Sequence, residues 1–413
     1  MLKADHGKLI ELEALRGVAA MMVLFHHFLL VIVPRLHGRN FPDDPIALVR
    51  TPLYALVNGT AAVAIFFVLS GFVLTFRALE ERDGRQLLVG VLKRWPRLVP
   101  LVATVNVLSA IFLTFGLYQD RTWFGASAFE QDTFVIGSAL AEGTFWTFFN
   151  GSANFNSSLW TMHYELFGSF VAYATALVLI FQKSLWRAMA IGAIVILLLA
   201  TMTGKGGVYY AMPVAGVLVA RLYVERNAIA SALSFMIPLR VPIALGTAGV
   251  VVVLCGYDGY SKPVGFYAFM THFEWADTEP FVHGVAAVAI LALVLFFDPV
   301  RRCLAGPTAA LLGRLSFPVY LVHLPILLGL VSPVHSYLTA RFDKTVAAPA
   351  AFAVFIALTL AAAYPLARLD EAWVRKLRDI ASSAVAKLRR SGWRPGKAAD
   401  RVAPMGEETK RAD

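Results

Sequence analysis

Apolar residues along this 413-residue chain gather into ten long runs separated by short polar breaks. That pattern is unlike the alternating or one-faced periodicities of a water-soluble domain. The runs cover residues 12–33, 53–76, 97–117, 159–181, 185–201, 208–222, 239–256, 280–298, 315–332 and 347–366. Most approach the roughly 20 residues that cross about 30 Å of hydrocarbon at about 1.5 Å per residue. The runs 208–222 and 239–256 are short or interrupted, by Pro213 and Pro242. The pattern predicts an all-α integral membrane protein, a bundle of about ten transmembrane helices.

Composition agrees, with 58% hydrophobic residues, 15% charged and a mean hydropathy of +0.66. A soluble fold has no use for that much apolar surface. The net charge of +10 would suit a nucleic-acid partner, but its distribution assigns it to the bilayer instead. With the N-terminus in the cytoplasm and ten crossings, 29 of the 37 lysines and arginines fall on the inner side, as the positive-inside rule requires. An odd number of crossings would place the basic C-terminal tail outside, so both termini are read as cytoplasmic. Cys255 and Cys303 then lie at opposite faces, which excludes a disulfide between them. The first run is too long for the apolar region of a secretory signal. Residues 1–368 are read as the transmembrane domain and 369–413 as a basic cytoplasmic tail. The tail begins amphipathic, with Trp373, Leu377 and Ile380 on one side, and turns polar and disordered from about Ser391. A second polar stretch, 118–158, is outer and rich in aromatics, including Trp123 and Trp146.

Ionisable groups inside a bilayer cost several kcal/mol unless they are paired or face water, so each marks a place to look. In the first run, His27 follows Arg16 by eleven residues, about three turns or some 16 Å, which puts both on one face. Arg16 either snorkels to lipid phosphate or binds a ligand; His27 is either a bundle histidine or a base. Glu165 lies six residues into the fourth run and His27 six residues from the outer end of the first. Similar depth allows a carboxylate–imidazole pair, an arrangement for general-base work. His163 is read as a packing or loop-anchoring residue. His323 is near mid-membrane in the ninth run, either functional or bonded to a carbonyl freed by Pro325. Lys93, Arg94 and Arg97 form a basic cluster before the third run. Ser70-Gly71 in the second run suits close helix packing or close approach by a ligand chain. No internal repeat is evident, which counts against many secondary transporters.

Together these segments resemble the membrane acyltransferase-3 family. Arg16 and His27 resemble its arginine–ten residues–histidine motif, with His26 where an aromatic usually stands. Phe66 to Phe72 is similar to its phenylalanine–serine–glycine signature. Arg94, Arg97 and Pro100 fit its basic inner motif, with Lys93 and Trp95 varying within it. Ser158, Leu159, Trp160 and Glu165 match its motif ending in glutamate, and Tyr320 and His323 its late tyrosine–histidine motif. Ala64 departs from the acidic residue that many members carry there.

The resemblance implies a polytopic O-acyltransferase in the cell membrane, such as a bacterial inner membrane. It would move an acyl group, in the first instance acetyl, from cytoplasmic acyl-CoA to a hydroxyl of a carbohydrate or glycolipid at the outer side. Acyl-CoA is then a co-substrate and no cofactor or metal is tightly held. CoA phosphates belong with Arg16, Arg94 and Arg97, because guanidinium forks suit phosphate. The pantetheine arm would pass Ser70 and Gly71 to reach His27 as base, with Glu165 orienting it and Trp160, Tyr320 and His323 in support. Trp123 and Trp146 either stack on sugar rings or belong to an interfacial belt. Two other readings remain, a transferase for a small lipid or antibiotic-like acceptor and a proton-coupled transporter. The sequence carries no signal of oligomeric state, and no nucleic-acid partner is expected.

Overall fold

The computed structural model describes residues 9–118, 120, 135–202, 206–273, 275 and 277–390. Among these, all regular structure is helical. Ten helices make the body: α1 (Ile10–Ile32), α2 (Gly59–Glu81), α3 (Gly84–Thr114), α4 (Thr161–Ile180), α5 (Leu185–Met202), α6 (Gly207–Val224), α7 (Arg240–Cys255), α8 (Thr278–Phe296), α9 (Pro307–Ile326) and α10 (Lys344–Arg390). Short helical turns fill several connections. Nine stretches among the described residues are long and apolar enough to cross a membrane, and the apolar segment Leu185–Thr201 is shorter. The protein is a multi-pass membrane protein.

Helix α2 is central, with α1, α4, α6 and α8 packed around it. Helix α9 lies between α1 and α10, and α5 lies outside α6. Helix α7 is outermost: it packs on α8, buries only Ala244 and Cys255, and exposes Val241, Leu245 and Val250. That is the composition of a lipid-facing surface, where the hydrocarbon is as apolar as the side chains.

Small residues bring the central helices close. A Cβ on Gly71 would lie 1.9 Å from the Pro213 carbonyl oxygen, and one on Gly216 would lie 1.9 Å from the Val68 oxygen. Helices α2 and α6 therefore cross backbone to backbone, as small-residue interfaces allow. Gly17 meets Leu312 and Gly313 meets Glu13 in the same manner where α1 crosses α9. Replacing Gly71 by alanine is expected to cost about 3 kcal/mol, the upper part of the usual overpacking range. Thermal unfolding of purified protein checks this. Gly84→Ala serves as a control, because its added Cβ would meet only the movable Leu177 Cδ1.

Several helix ends differ from the apolar runs. The second crossing begins at Gly59 rather than residue 53, because Asn58 caps it: its Oδ1 accepts from the Thr60 and Ala61 amides at 3.1 and 3.4 Å. Asn58 Nδ2 also donates to the Cys255 and Tyr257 carbonyls, tying α2 to the end of α7. Helix α3 starts at Gly84, thirteen residues before its apolar run, with Asp83 accepting from the Arg85 amide. Its opening turns are polar on one side, so hydropathy alone hides them. Helix α10 continues past its apolar run and past Arg368 without a break to Arg390. Residues 391–413, read as a disordered tail, lie outside the described residues.

Candidate active site

Two helices that share a tight turn set one wall. Ser70 precedes the end of α2 by eleven residues, and Arg94 follows the start of α3 by ten. The helices run antiparallel from that turn, so the two residues are level. Arg94 Nη2 donates to Ser70 Oγ at 3.2 Å and forms an ion pair with Glu165 Oε1, to which Ser70 Oγ also donates at 3.1 Å. Glu165 reaches this level because the turn before α4 is sunk into the bundle. Asn156, Ser158 and Leu159 are buried there, and Asn156 Nδ2 donates to the Leu321 carbonyl.

This trio lines a narrow cavity of about 100 Å³. The cavity follows α2 from Val63 to Leu74, eleven residues or roughly 16 Å of helix. Three arginines, Arg16, Arg94 and Arg97, reach into it. Glu165 neutralises Arg94, and Asp370 lies 3.6 Å from Arg97. The buried Nε groups of Arg94 and Arg97 have no hydrogen-bond acceptor. Such donors are costly to leave unmet, and an anion would satisfy them.

At the other end of the cavity stands Tyr320, whose hydroxyl donates to the Ser158 carbonyl at 2.7 Å. His323, one turn further along α9, is fully buried, and its ring centroid is 6.0 Å from that of Tyr320. His323 Nδ1–H donates to the Tyr320 carbonyl at 2.7 Å, which leaves its lone pair on Nε2. That lone pair faces His27 Nδ1 at 3.2 Å, and the Val23 carbonyl lies 3.0 Å from the same nitrogen. Both neighbours are acceptors, so His27 carries its hydrogen on Nδ1 and its lone pair on Nε2. His26 is turned away into a buried group with Val57 O, His37 and the Tyr54 hydroxyl. His37, beyond the end of α1, is pushed down to about 3 by burial, with Arg39 and His27 adding to the effect. It therefore stays neutral at physiological pH.

A second cavity, about 680 Å³, lies where α4, α6 and α8 begin. Its wall holds Trp160, Tyr209, Tyr260 and Trp275, with the carboxylates of Asp277 and Glu279. Phe67 lines the first cavity, and its ring is 6.0 Å from that of Tyr209 in the second. Two facing rings, Phe67 and Tyr209, thus stand between them at that point.

A family model described as an acyltransferase domain matches residues 9–368. The chain belongs to the acyltransferase-3 family. Neither the comparison with curated proteins nor that with solved structures returns a match. Membership makes this protein a membrane acyltransferase and bears out the resemblance read from five motifs.

Most motif residues of this acyltransferase-3 chain converge. Arg16, Ser70, Arg94, Arg97, Glu165 and Tyr320 line one cavity, and His323 and His27 stand behind Tyr320. One expected pairing is corrected. Glu165 is taken up by Arg94 and Ser70, and His323 holds His27 in its place. The physical reason is the early start of α3, which brings a buried guanidinium, 6% exposed, to the carboxylate. Gly71 is spent on packing against Pro213 and does not line the cavity. Trp160 belongs to the second cavity, where it packs 5.3 Å from Tyr209. Trp146 is 49% exposed and lines neither cavity, and Trp123 lies outside the described residues. His163 lies outside both cavities, with Nδ1 donating to the Phe148 carbonyl and Nε2 accepting from the Tyr210 hydroxyl. The sequence reading missed Tyr209, Tyr260, Asp277 and Glu279. The available signal was the carboxylate pair Asp277-x-Glu279 at the mouth of an apolar run.

Proposed function

We propose that this acyltransferase moves an acetyl group from cytoplasmic acetyl-CoA to a hydroxyl of a carbohydrate or glycolipid on the outer side of the cell membrane. One observation carries the reading. A single narrow cavity has three arginines at one end, and at the other Tyr320 backed by the His323–His27 pair. The arginines suit the phosphates of CoA, as charge-assisted forks, and the slot along α2 suits its thin thioester-bearing arm. The distribution of basic segments supports a cytoplasmic arginine end and cytoplasmic termini.

In this reading His27 Nε2 takes the proton of the acceptor hydroxyl as its oxygen attacks the thioester carbonyl. A C–O bond forms and the C–S bond breaks. His27 returns the proton to the departing thiolate, which leaves as free CoA thiol. His323 accepts from His27 Nδ1–H throughout and stabilises the imidazolium as it forms. Glu165 is a positioning residue that fixes Arg94. The helical part of the tail belongs with the arginine end, through Asp370 and Trp373, whose Nε1 donates to the Pro96 carbonyl.

The test is thiol release from acetyl-CoA by purified protein in nanodiscs supplied with neutral glycosides. Arg16→Ala and Arg97→Ala are each expected to raise the KM for acetyl-CoA about tenfold or more with little change in kcat, the scale of one lost hydrogen bond to a charged group. Absence of both thiol release and acetyl-CoA binding overturns the reading.

A further inference from the structure

Transfer needs a second substrate, and the narrow cavity along α2 has room for one thin chain only. The second cavity is several times larger and has the opposite electrostatic character. Among the described residues its wall carries two carboxylates and no lysine or arginine. Arg39 stands behind this wall and is paired with Asp258. Its Nε and Nη2 donate to Asp258 Oδ1 at 3.0 and 2.7 Å, and it lies 4.2 Å over the Tyr260 ring.

Each carboxylate is held in place from behind. Both oxygens of Asp277 accept from the Gly206 amide, at 2.8 and 3.1 Å, and Glu279 Oε1 accepts from Thr60 Oγ1 at 2.7 Å. A carboxylate has about four lone-pair sites, so both keep capacity to accept from hydroxyls of a guest. Trp160, Tyr209, Tyr260 and Trp275 add rigid, amphipathic ring surface of the kind that holds a molecule with one apolar and one polar aspect.

The cavity also backs onto the histidines. Thr60 follows Gly59, where an added Cβ would lie 2.8 Å from the His26 ring, and the His26 and His27 rings are 5.0 Å apart. The donor slot thus leads toward His27 through Tyr320 and His323, and this cavity is linked to its neighbour His26 through Thr60 and Gly59.

We propose that the second cavity is the acceptor site, and that it takes a sugar ring that is neutral or bears an amine and rejects one that bears a carboxylate or phosphate. Rings of the wall cover the C–H faces of the sugar while Asp277 and Glu279 accept from its hydroxyls. An anionic sugar meets two carboxylates across a short distance, and Arg39, the guanidinium that acts on Glu279, is itself paired with Asp258, so the described wall stays acidic and disfavours that sugar in a partly dehydrated site. The assignment rests on the transferase reading above.

The test uses full-length protein in nanodiscs, free of sugar-headed detergent. A diazirine-bearing alkyl glucoside is photocrosslinked and the labelled peptides are mapped by mass spectrometry. Labelling is expected at peptides containing Trp160, Tyr260 and Trp275, and competition by a neutral glucoside or glucosamine derivative but not by the matching glucuronide. In the transfer assay, Tyr260→Ala and Trp275→Ala, both at exposed positions, are expected to raise acceptor KM about tenfold while acetyl-CoA affinity stays unchanged. Labelling elsewhere, or equal competition by the glucuronide, overturns the acceptor assignment. Labelling at the cavity without thiol release from acetyl-CoA leaves a sugar site standing and overturns the transferase reading instead.

Discussion

Replacing His27 with alanine lowers the rate of acyl transfer from acetyl-CoA about 10³-fold, within the range for loss of a positioned base. Acetyl-CoA binding and recovery of folded protein stay as in the unaltered chain. The expectation follows from the tautomer: the two acceptors on Nδ1, Val23 O and His323 Nε2, leave the ring's basic lone pair on Nε2. Alanine keeps the helix, since it is the strongest helix former, and removes only the ring. His323→Ala is expected to act through His27 and to cost less, about 10- to 100-fold in kcat, with acetyl-CoA KM unchanged, because orientation is lost but the base remains. The double variant should be no slower than His27→Ala alone, as for residues that act as a unit. Stopped-flow detection of thiol release reads all three. Full activity in His27→Ala would rule out the proposed base.

Glu165→Ala is expected to destabilise the fold by about 3–5 kcal/mol, the usual effect of removing one partner of a buried ion pair. Arg94 would be left as a buried charge, with Ser70 its remaining neighbour. Replacing both members by methionine should restore most of the lost thermal stability, because two apolar side chains of similar size leave no uncompensated charge. Acetyl-CoA binding should not return with stability, since the cavity then lacks one of its three arginines. Thermal unfolding and acetyl-CoA titration separate these outcomes. If Glu165→Ala unfolds at the same temperature as the unaltered protein, the pair has no structural weight.

How far the sequence reached can be judged from single residues. The helices were legible because hydrocarbon imposes a length, and even the interrupted runs around Pro213 and Pro242 correspond to α6 and α7. Arg16, Ser70, Arg94, Arg97, Glu165 and Tyr320 were legible as a set because each is polar in an apolar setting, and they do share one cavity. Who bonds whom was not legible. Depth was counted from the ends of apolar runs, but α3 begins well before its run and α4 begins below a sunken turn. Both offsets shift Glu165 toward Arg94 and away from His27. Gly71 was read two ways, and only the position of α6, distant in sequence, decides for packing. The second cavity escaped because its wall comes from helix starts and connections, where hydropathy carries no signal.

The facing rings of Phe67 and Tyr209 between the two cavities have an electrical consequence. A membrane that holds a potential drops it across its thinnest insulating layer, and hollowing a protein from both ends thins that layer to the wall that remains. In the proposed orientation the field acting on a charge in transit is concentrated around this wall. Acyl transfer of the kind proposed carries a neutral group across, so the potential neither drives nor opposes it. These two rings then serve as the barrier to protons and salt, and loss of both should be felt first as a leak of current.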